Sequence, residues 1–289
     1  MIKIGADKEG WTQYYCTVCG HVEWVAPGAS LDHYYHCPLC GEGRSVMIAL
    51  DDPRLARHRV EFNLVAPRIW QLTKRPPFRA DFQHYSYIID HPQGVILYDA
   101  PPFIDDGAVE TIIKLGVPKL LVVSHTNFVG FATHWAEALD IPAWMGEGDN
   151  PLSGNRFAPS ERVTTTRKIF GDADVRRVPG HSSGSIALYW AGAPAGPALF
   201  SGDAITVWKH EDGRTQLVFF QDAPAGEEVL RVATCPVSLL ATCGGALKDA
   251  GEALRQLCEI TDNCGKPYMD DPGGGVWLDA QQTVEQLVG

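Results

Sequence analysis

The sequence predicts an α+β protein, with two β-sheets packed together, helices outside them, and a small cysteine-rich module in front. Three observations lead there. Apolar runs of strand length, bounded by Gly, Pro, Asn and Asp, alternate with a few helical stretches in the order strands, helix, strand, helix, strand, more strands, final helix. The chain has 289 residues, 45% hydrophobic and 20% charged, which suits one large domain plus a small unit. Four of its eight cysteines fall in two C-x-x-C pairs near the N-terminus. The expected division is residues 1–50 and residues 51–289.

In the first unit, Cys16-Thr-Val-Cys19-Gly20 and Cys37-Pro-Leu-Cys40-Gly41 each read as a tight turn whose backbone N–H groups can point at thiolate sulfurs. The glycine after each second cysteine permits the positive φ that such turns use. Cys16, Cys19, Cys37 and Cys40 together make a closed tetrahedral thiolate set, suited to zinc or a single iron. So small a unit buries little apolar area, so a metal would supply folding free energy. Trp11, Tyr14, Tyr15, Trp24, Tyr34 and Tyr35 are expected to pack over the turns, with His33 and His36 as surface or packing residues. C-x-x-C-G followed by C-P-x-C-G resembles rubredoxins and zinc ribbons, and the short intervening loop favours a ribbon. Zinc makes such a module structural or a docking surface for a protein partner. Iron makes it a one-electron carrier. The choice stays open.

A linker at Asp51-Asp-Pro-Arg runs into strands at Val60–Val65 and Arg68–Thr73. Tyr85–Asp90 and Gly94–Asp99 form a hairpin about His91-Pro-Gln-Gly. Ala108–Leu115 reads as a helix ended by Gly116. The apolar run Pro118-Lys-Leu-Leu-Val-Val is a strand that enters Ser124-His125-Thr126-Asn127-Phe128-Val129-Gly130. Ala132–Leu139 is a helix and Ile141–Met145 a short buried strand. Strands follow at Asp172–Val178, Ser185–Trp190 and Ala198–Ser201, then a hairpin from Thr206–His210 and Gln216–Phe220. The tail from about Ala225 is expected to be mainly helical through Leu254.

The formal charge is −11, from 24 basic and 35 acidic residues. That argues against a nucleic-acid surface and against adsorption to anionic membranes. Arg162–Arg177 is basic and reads as a solvated face, with anion binding as the alternative. No apolar run approaches the roughly 20 residues that span a bilayer, and Met1–Gly10 lacks the apolar core of a signal peptide. These features predict a cytoplasmic protein.

Three loops at strand ends carry His125, His181 in Pro179-Gly-His-Ser-Ser-Gly-Ser185, and Asp203 in Ser201-Gly-Asp. Their order and contexts resemble the metallo-β-lactamase superfamily over about residues 55–255. The resemblance implies an αββα sandwich with a metal site along one edge of the facing sheets. It also shows departures. Where the superfamily pattern is T-H-x-H-x-D-H, this chain has Ser124, His125, Asn127, Val129 and Gly130, and Cys243 stands for the late histidine. The first metal position therefore keeps His125, His181 and Asp203, with Asn127 as a weak neutral oxygen donor. The second keeps only Asp203 and Cys243, which implies one zinc or iron. His134 on the next helix is either a replacement ligand or a solvated or capping histidine. Cys235, Cys258 and Cys264 are expected to pack.

Three functions follow. One is a hydrolase of an ester, thioester or amide, working through a single metal at His125, His181 and Asp203 with Asn127 touching water or substrate. The second is a redox protein with iron at the four cysteines and an electron-transfer partner. The third is a non-catalytic binding protein with a degenerate site and a structural zinc ribbon. Trp70, Trp144, Trp208, Phe219 and Phe220 either line a pocket or fill the core.

Overall fold

The computed structural model describes residues 10–17, 20–28, 36–37, 41, 43, 47–75, 84–150, 157–210, 214–219, 231–264 and 276–278. Cys19, Cys40, His33, Tyr34, Tyr35 and Phe220 lie outside the described residues.

Strands β1 (Thr12–Cys16), β2 (Val22–Val25) and β3 (Met47–Ala49) form a small antiparallel sheet in the order β2-β1-β3. Next come β4 (Arg59–Ala66), β5 (Ile69–Arg75), β6 (Ser86–His91) and β7 (Gly94–Tyr98), each antiparallel to its neighbour. Helix α1 (Asp106–Leu115) leads to β8 (Pro118–Val123), and α2 (Ala132–Leu139) leads to β9 (Ala143–Gly146). With β10 (Glu161–Val163) they complete a seven-stranded sheet in the order β10-β9-β8-β7-β6-β5-β4. The helical crossovers through α1 and α2 make β7, β8 and β9 parallel, β10 also pairs in parallel with β9, and β8 is apolar over its last four residues because both of its faces are covered.

The second sheet holds β11 (Arg167–Lys168), β12 (Ala173–Arg177), β13 (Ile186–Trp190) and β14 (Ala198–Gly202). The hairpin β15 (Thr206–Lys209) and β16 (Thr215–Val218) follows, then β17 (Leu239–Thr242), β18 (Gly245–Lys248), α3 (Gly251–Cys264) and β19 (Val276–Leu278). The sheet order is β11-β12-β13-β14-β17-β18, and β15-β16-β19 form a separate sheet. The tail thus departs from expectation: residues 239–248 are a hairpin, and the helix starts at Gly251. Leu239-Leu-Ala-Thr is buried throughout and pairs in parallel with β14, a long-range contact that overrides any local helical preference.

The layers are those of an αββα sandwich. Ile89, Ile96, Tyr98 and Val122 from one sheet meet Val175, Leu188, Phe200 and Ala241 from the other. Ile112 of α1 and Trp135 of α2 cover the outer face of the seven-stranded sheet, and Leu254 and Leu257 of α3 cover the other. Burying a side chain of this kind contributes about 1.5–3 kcal/mol. Three of the aromatics read as either pocket lining or core are core residues. Trp70 and Trp144 pack against these cores, and Phe219 is buried in one.

Asp105 caps α1, accepting from Ala108 N–H at 2.8 Å, while its other oxygen accepts from Val60 N–H at 2.7 Å. Gly116, after this helix, is extended at φ 166°, so the helix ends without a left-handed cap. Tyr15 does not pack within the small sheet alone. Its ring meets Phe131 edge-on at 5.2 Å, and its hydroxyl donates to Pro102 O. Gly130 stands directly against the main chain of Gly20 and His21: a Cβ at residue 130 would lie 2.8 Å from His21 N and closer still to the Gly20 carbonyl. The short cysteine-bearing sheet is therefore seated on the loop that follows β8.

Candidate metal centre

Each group in the centre hangs from the end of a strand. His125 follows β8, His181 lies between β12 and β13, and Asp203 follows β14. Their ligand atoms all fall within 4.8 Å of one another. His125 Nε2 is 3.2 Å from Asp203 Oδ2, His181 Nε2 is 3.5 Å from the same oxygen, and the imidazoles stand edge-to-face with centroids 4.5 Å apart. Among the described residues, this is the one cluster of three or more His, Cys, Asp or Glu side chains able to share an ion.

The local sequence explains the convergence. Ser124 ends the apolar strand, and its N–H donates to Asp99 Oδ1 at 2.7 Å. Asp99 reaches that donor from a left-handed backbone, φ 59°, which Asp tolerates better than most residues. Ser124 O accepts from Ile186 N–H at 2.8 Å, drawing the His125 loop to the strand after His181. Gly202, at φ 56°, brings in the Asp203 turn: a Cβ there would sit 2.6 Å from Ser124 Cβ. Glycine is thus required in Ser201-Gly-Asp because the three loops close on one another.

The electrostatics suit a cation. Burial alone would raise Asp203, but the facing His125 outweighs it, with help from His181 and His84, and holds the carboxyl well below its ordinary range. Burial would lower His125, but the Asp203 carboxylate overrides it and raises the imidazole. Burial raises Asp99 to about 7, opposed by its bond from Ser124. Asp203 Oδ1 is buried without a hydrogen-bond partner, and His125 Nε2 is buried against the Asp203 carboxylate without an aligned hydrogen bond. Buried polar atoms are seldom left in that state, and two imidazoles with a carboxylate are a donor set that zinc or ferrous iron accepts. Ser124 Oγ lies 2.9 Å from His125 Nδ1, a contact in which either atom can carry the proton, and Nε2 is the ring nitrogen that faces Asp203.

The remaining expected residues lie around this cluster. Asn127 is in the short 3-10 turn Thr126–Phe128, partly exposed. Cys243 is in the turn between β17 and β18, with Sγ 3.3 Å from Thr206 Oγ1. Burial, and then the adjacent Asp203 carboxylate, push its thiol well above the ordinary value. It does not join the 4.8 Å set. His134 is on α2, its ring 5.0 Å from Phe131, outside the set; burial lowers it to about 4. Cys16 and Cys37 are both buried.

Two contributors escaped the sequence reading. His84 precedes β6, its ring edge-on to Phe128 at 5.3 Å, and Phe128 in turn meets His125 at 5.1 Å. Burial lowers His84, while the Asp203 charge opposes that shift. Nothing in His84-Tyr-Ser-Tyr marks it, since a histidine before a strand is ordinary. The other is Asp149, in Met145-Gly-Glu-Gly-Asp, whose position after a buried strand was the available signal.

No family model matches the chain. A Bacillus subtilis (strain 168) protein, the uncharacterized protein YmaE, is 24% identical over 210 residues, covering 67% of this chain and 72% of that protein. Among solved structures, VMB-1 aligns with a TM-score of 0.54 at 14% identity, over 72% of this chain and 99% of its own. The mono-zinc form of the metallo-β-lactamase FIM-1 from Pseudomonas aeruginosa aligns at 0.53 and 14%, over 72% and 97%. The metallo-β-lactamase DIM-1 aligns at 0.52 and 15%, over 71% and 98%. At such identities the likeness is one of fold.

Proposed function

From the metallo-β-lactamase fold that the chain adopts, we propose that it is a mononuclear metal-dependent hydrolase of a small-molecule ester, thioester or amide, working in the cytoplasm. One observation carries this reading: His125, His181 and Asp203 present buried ligand atoms within 4.8 Å of one another. A divalent cation bound there supplies Lewis acidity toward a carbonyl oxygen and acidifies water. The chain's residues do the rest. Asp203 provides the negative charge, the two imidazoles provide neutral nitrogen donors, and Ser124 orients the His125 ring through its contact with Nδ1. Asn127 offers an amide to substrate or water. The mono-zinc form of FIM-1 supports a single ion on this fold.

The four N-terminal cysteines are a separate proposal, a zinc or iron site at Cys16, Cys19, Cys37 and Cys40 in the segment 1–50. It is supported by matching turns at the two pairs: Gly20 N–H donates to Cys16 O and Gly41 N–H to Cys37 O, each at 2.9 Å. Zinc favours a structural or docking role, iron an electron-transfer partner. Metal analysis of the purified chain, with its visible spectrum, tests both sites. The expected result is metal at each, with His181→Ala and Asp203→Ala losing the lactamase-like ion alone and hydrolysis of a panel of esters and thioesters falling at least about 100-fold. Undiminished hydrolysis in both variants would overturn the hydrolase reading. A colourless protein holding zinc alone would remove the redox role.

A further inference from the structure

We infer that Asp149 is a positioning residue that sets the separation of the two metal-binding histidines; this rests on the metal reading of His125, His181 and Asp203. Asp149 follows β9 and is 4% exposed. Its carboxylate accepts hydrogen bonds from both histidine loops. Oδ2 accepts from Thr126 N–H at 3.0 Å, the residue after His125, and from Ser182 Oγ at 2.7 Å, the residue after His181. Oδ1 accepts from Gly184 N–H at 2.7 Å. One side chain therefore bridges segments 55 to 60 residues apart in sequence, and each bond lies within three residues of a candidate ligand.

The chemistry requires a carboxylate. All three partners are donors, two on one oxygen and one on the other. An asparagine in the same place would present an NH2 group to at least one of them, and that group cannot accept. The donors are two backbone amides and a hydroxyl, with no cation directly on the carboxylate among the bonds described. Hydrogen bonds to a charged acceptor are about twice as strong as neutral ones. The fit is tight: a Cβ on Gly184 would lie 2.7 Å from both Cβ and Cγ of Asp149, so the glycine of His181-Ser-Ser-Gly leaves room for this carboxylate. Arg162 donates to the Asp149 main-chain carbonyl, anchoring the residue from behind. Thr126 Oγ1 donates to Asn150 O at 2.8 Å, so the His125 loop is tied to this turn twice.

The test is cobalt(II) binding to the full chain, read from the visible bands that are missing in His181→Ala. Loss of a group that orients metal ligands typically weakens binding 10- to 100-fold. Asp149→Ala should therefore weaken cobalt about 100-fold and alter the band shape, Asp149→Asn about tenfold, and Ser182→Ala, which removes one of the three bonds, less than either. If Asp149→Ala does not fold, the graded loss in the other two variants decides. Wild-type affinity and an unchanged spectrum in a folded Asp149→Ala or Asp149→Asn would overturn the inference alone. A wild-type chain with no His181-dependent cobalt signal would overturn the metal reading and this inference together.

Discussion

His125 and Asp203 hold each other in opposite directions, and the pair has a definite pH signature in the metal-free protein. Asp203 is lowered from 3.8, so its contribution is present above that pH and is lost on acidification. His125 is raised from 6.5, so its contribution is full below 6.5 and is lost as pH rises through its folded value. The stability difference between chelator-treated wild type and Asp203→Asn should thus peak between pH 3.8 and 6.5, at about 2 kcal/mol, and shrink above it. Urea unfolding across pH measures it, and a difference that grows above pH 8 would contradict the pair. The comparison must be made as a difference, because His58 and His134, both lowered to about 4 by burial, act the other way. Their contribution is full above 6.5 and is lost as pH falls towards 4. At this scale the three main residues were legible because His125 and Asp203 follow apolar strands and His181 and Asp203 sit in small-residue turns. Asp149 was not, because an aspartate after Gly-Glu-Gly also reads as an ordinary polar turn; its role depends on two loops whose meeting is a tertiary fact.

Among the elements, α1 is fixed by one side chain. Asp105 caps it and also holds the start of β4, so its removal leaves two backbone donors without their partner. Asp105→Ala should cost about 1–3 kcal/mol, and Asp105→Asn less, measured by chemical denaturation. An Asp105→Ala protein of wild-type stability would show that water replaces both bonds. Helices α1 and α2 could be read from sequence because their apolar residues recur at helical spacing beside polar ones. The hairpin of β17 and β18 could not. Leu239-Leu-Ala-Thr is buried on both faces, and a short, fully apolar run has no period to separate strand from helix. The three-residue strand β10 and the two-residue β11 were equally silent, since each is too short to show alternation.

Across the whole molecule, the two-sheet architecture was readable, while the strand order was not. The parallel pairing of β14 with β17 joins segments separated by a hairpin and by residues outside the described ones. The contact of the N-terminal sheet with the site loop was also invisible, although its participants, Tyr15, Gly20 and Gly130, were each in view. Among the described residues, no helix is long and apolar enough to cross a membrane.

That seating constrains the order in which the chain can change. A side chain at residue 130 meets the main chain of Gly20 and His21, which cannot swing aside as a flexible side chain would. Gly130→Ala should cost about 3 kcal/mol in the full chain, read by urea unfolding. A histidine at this position should be costlier still, and should become tolerable once the turn at Gly20 has moved. Substitutions at the two places are therefore strongly non-additive. Any larger side chain at residue 130 thus needs a prior change in the N-terminal sheet.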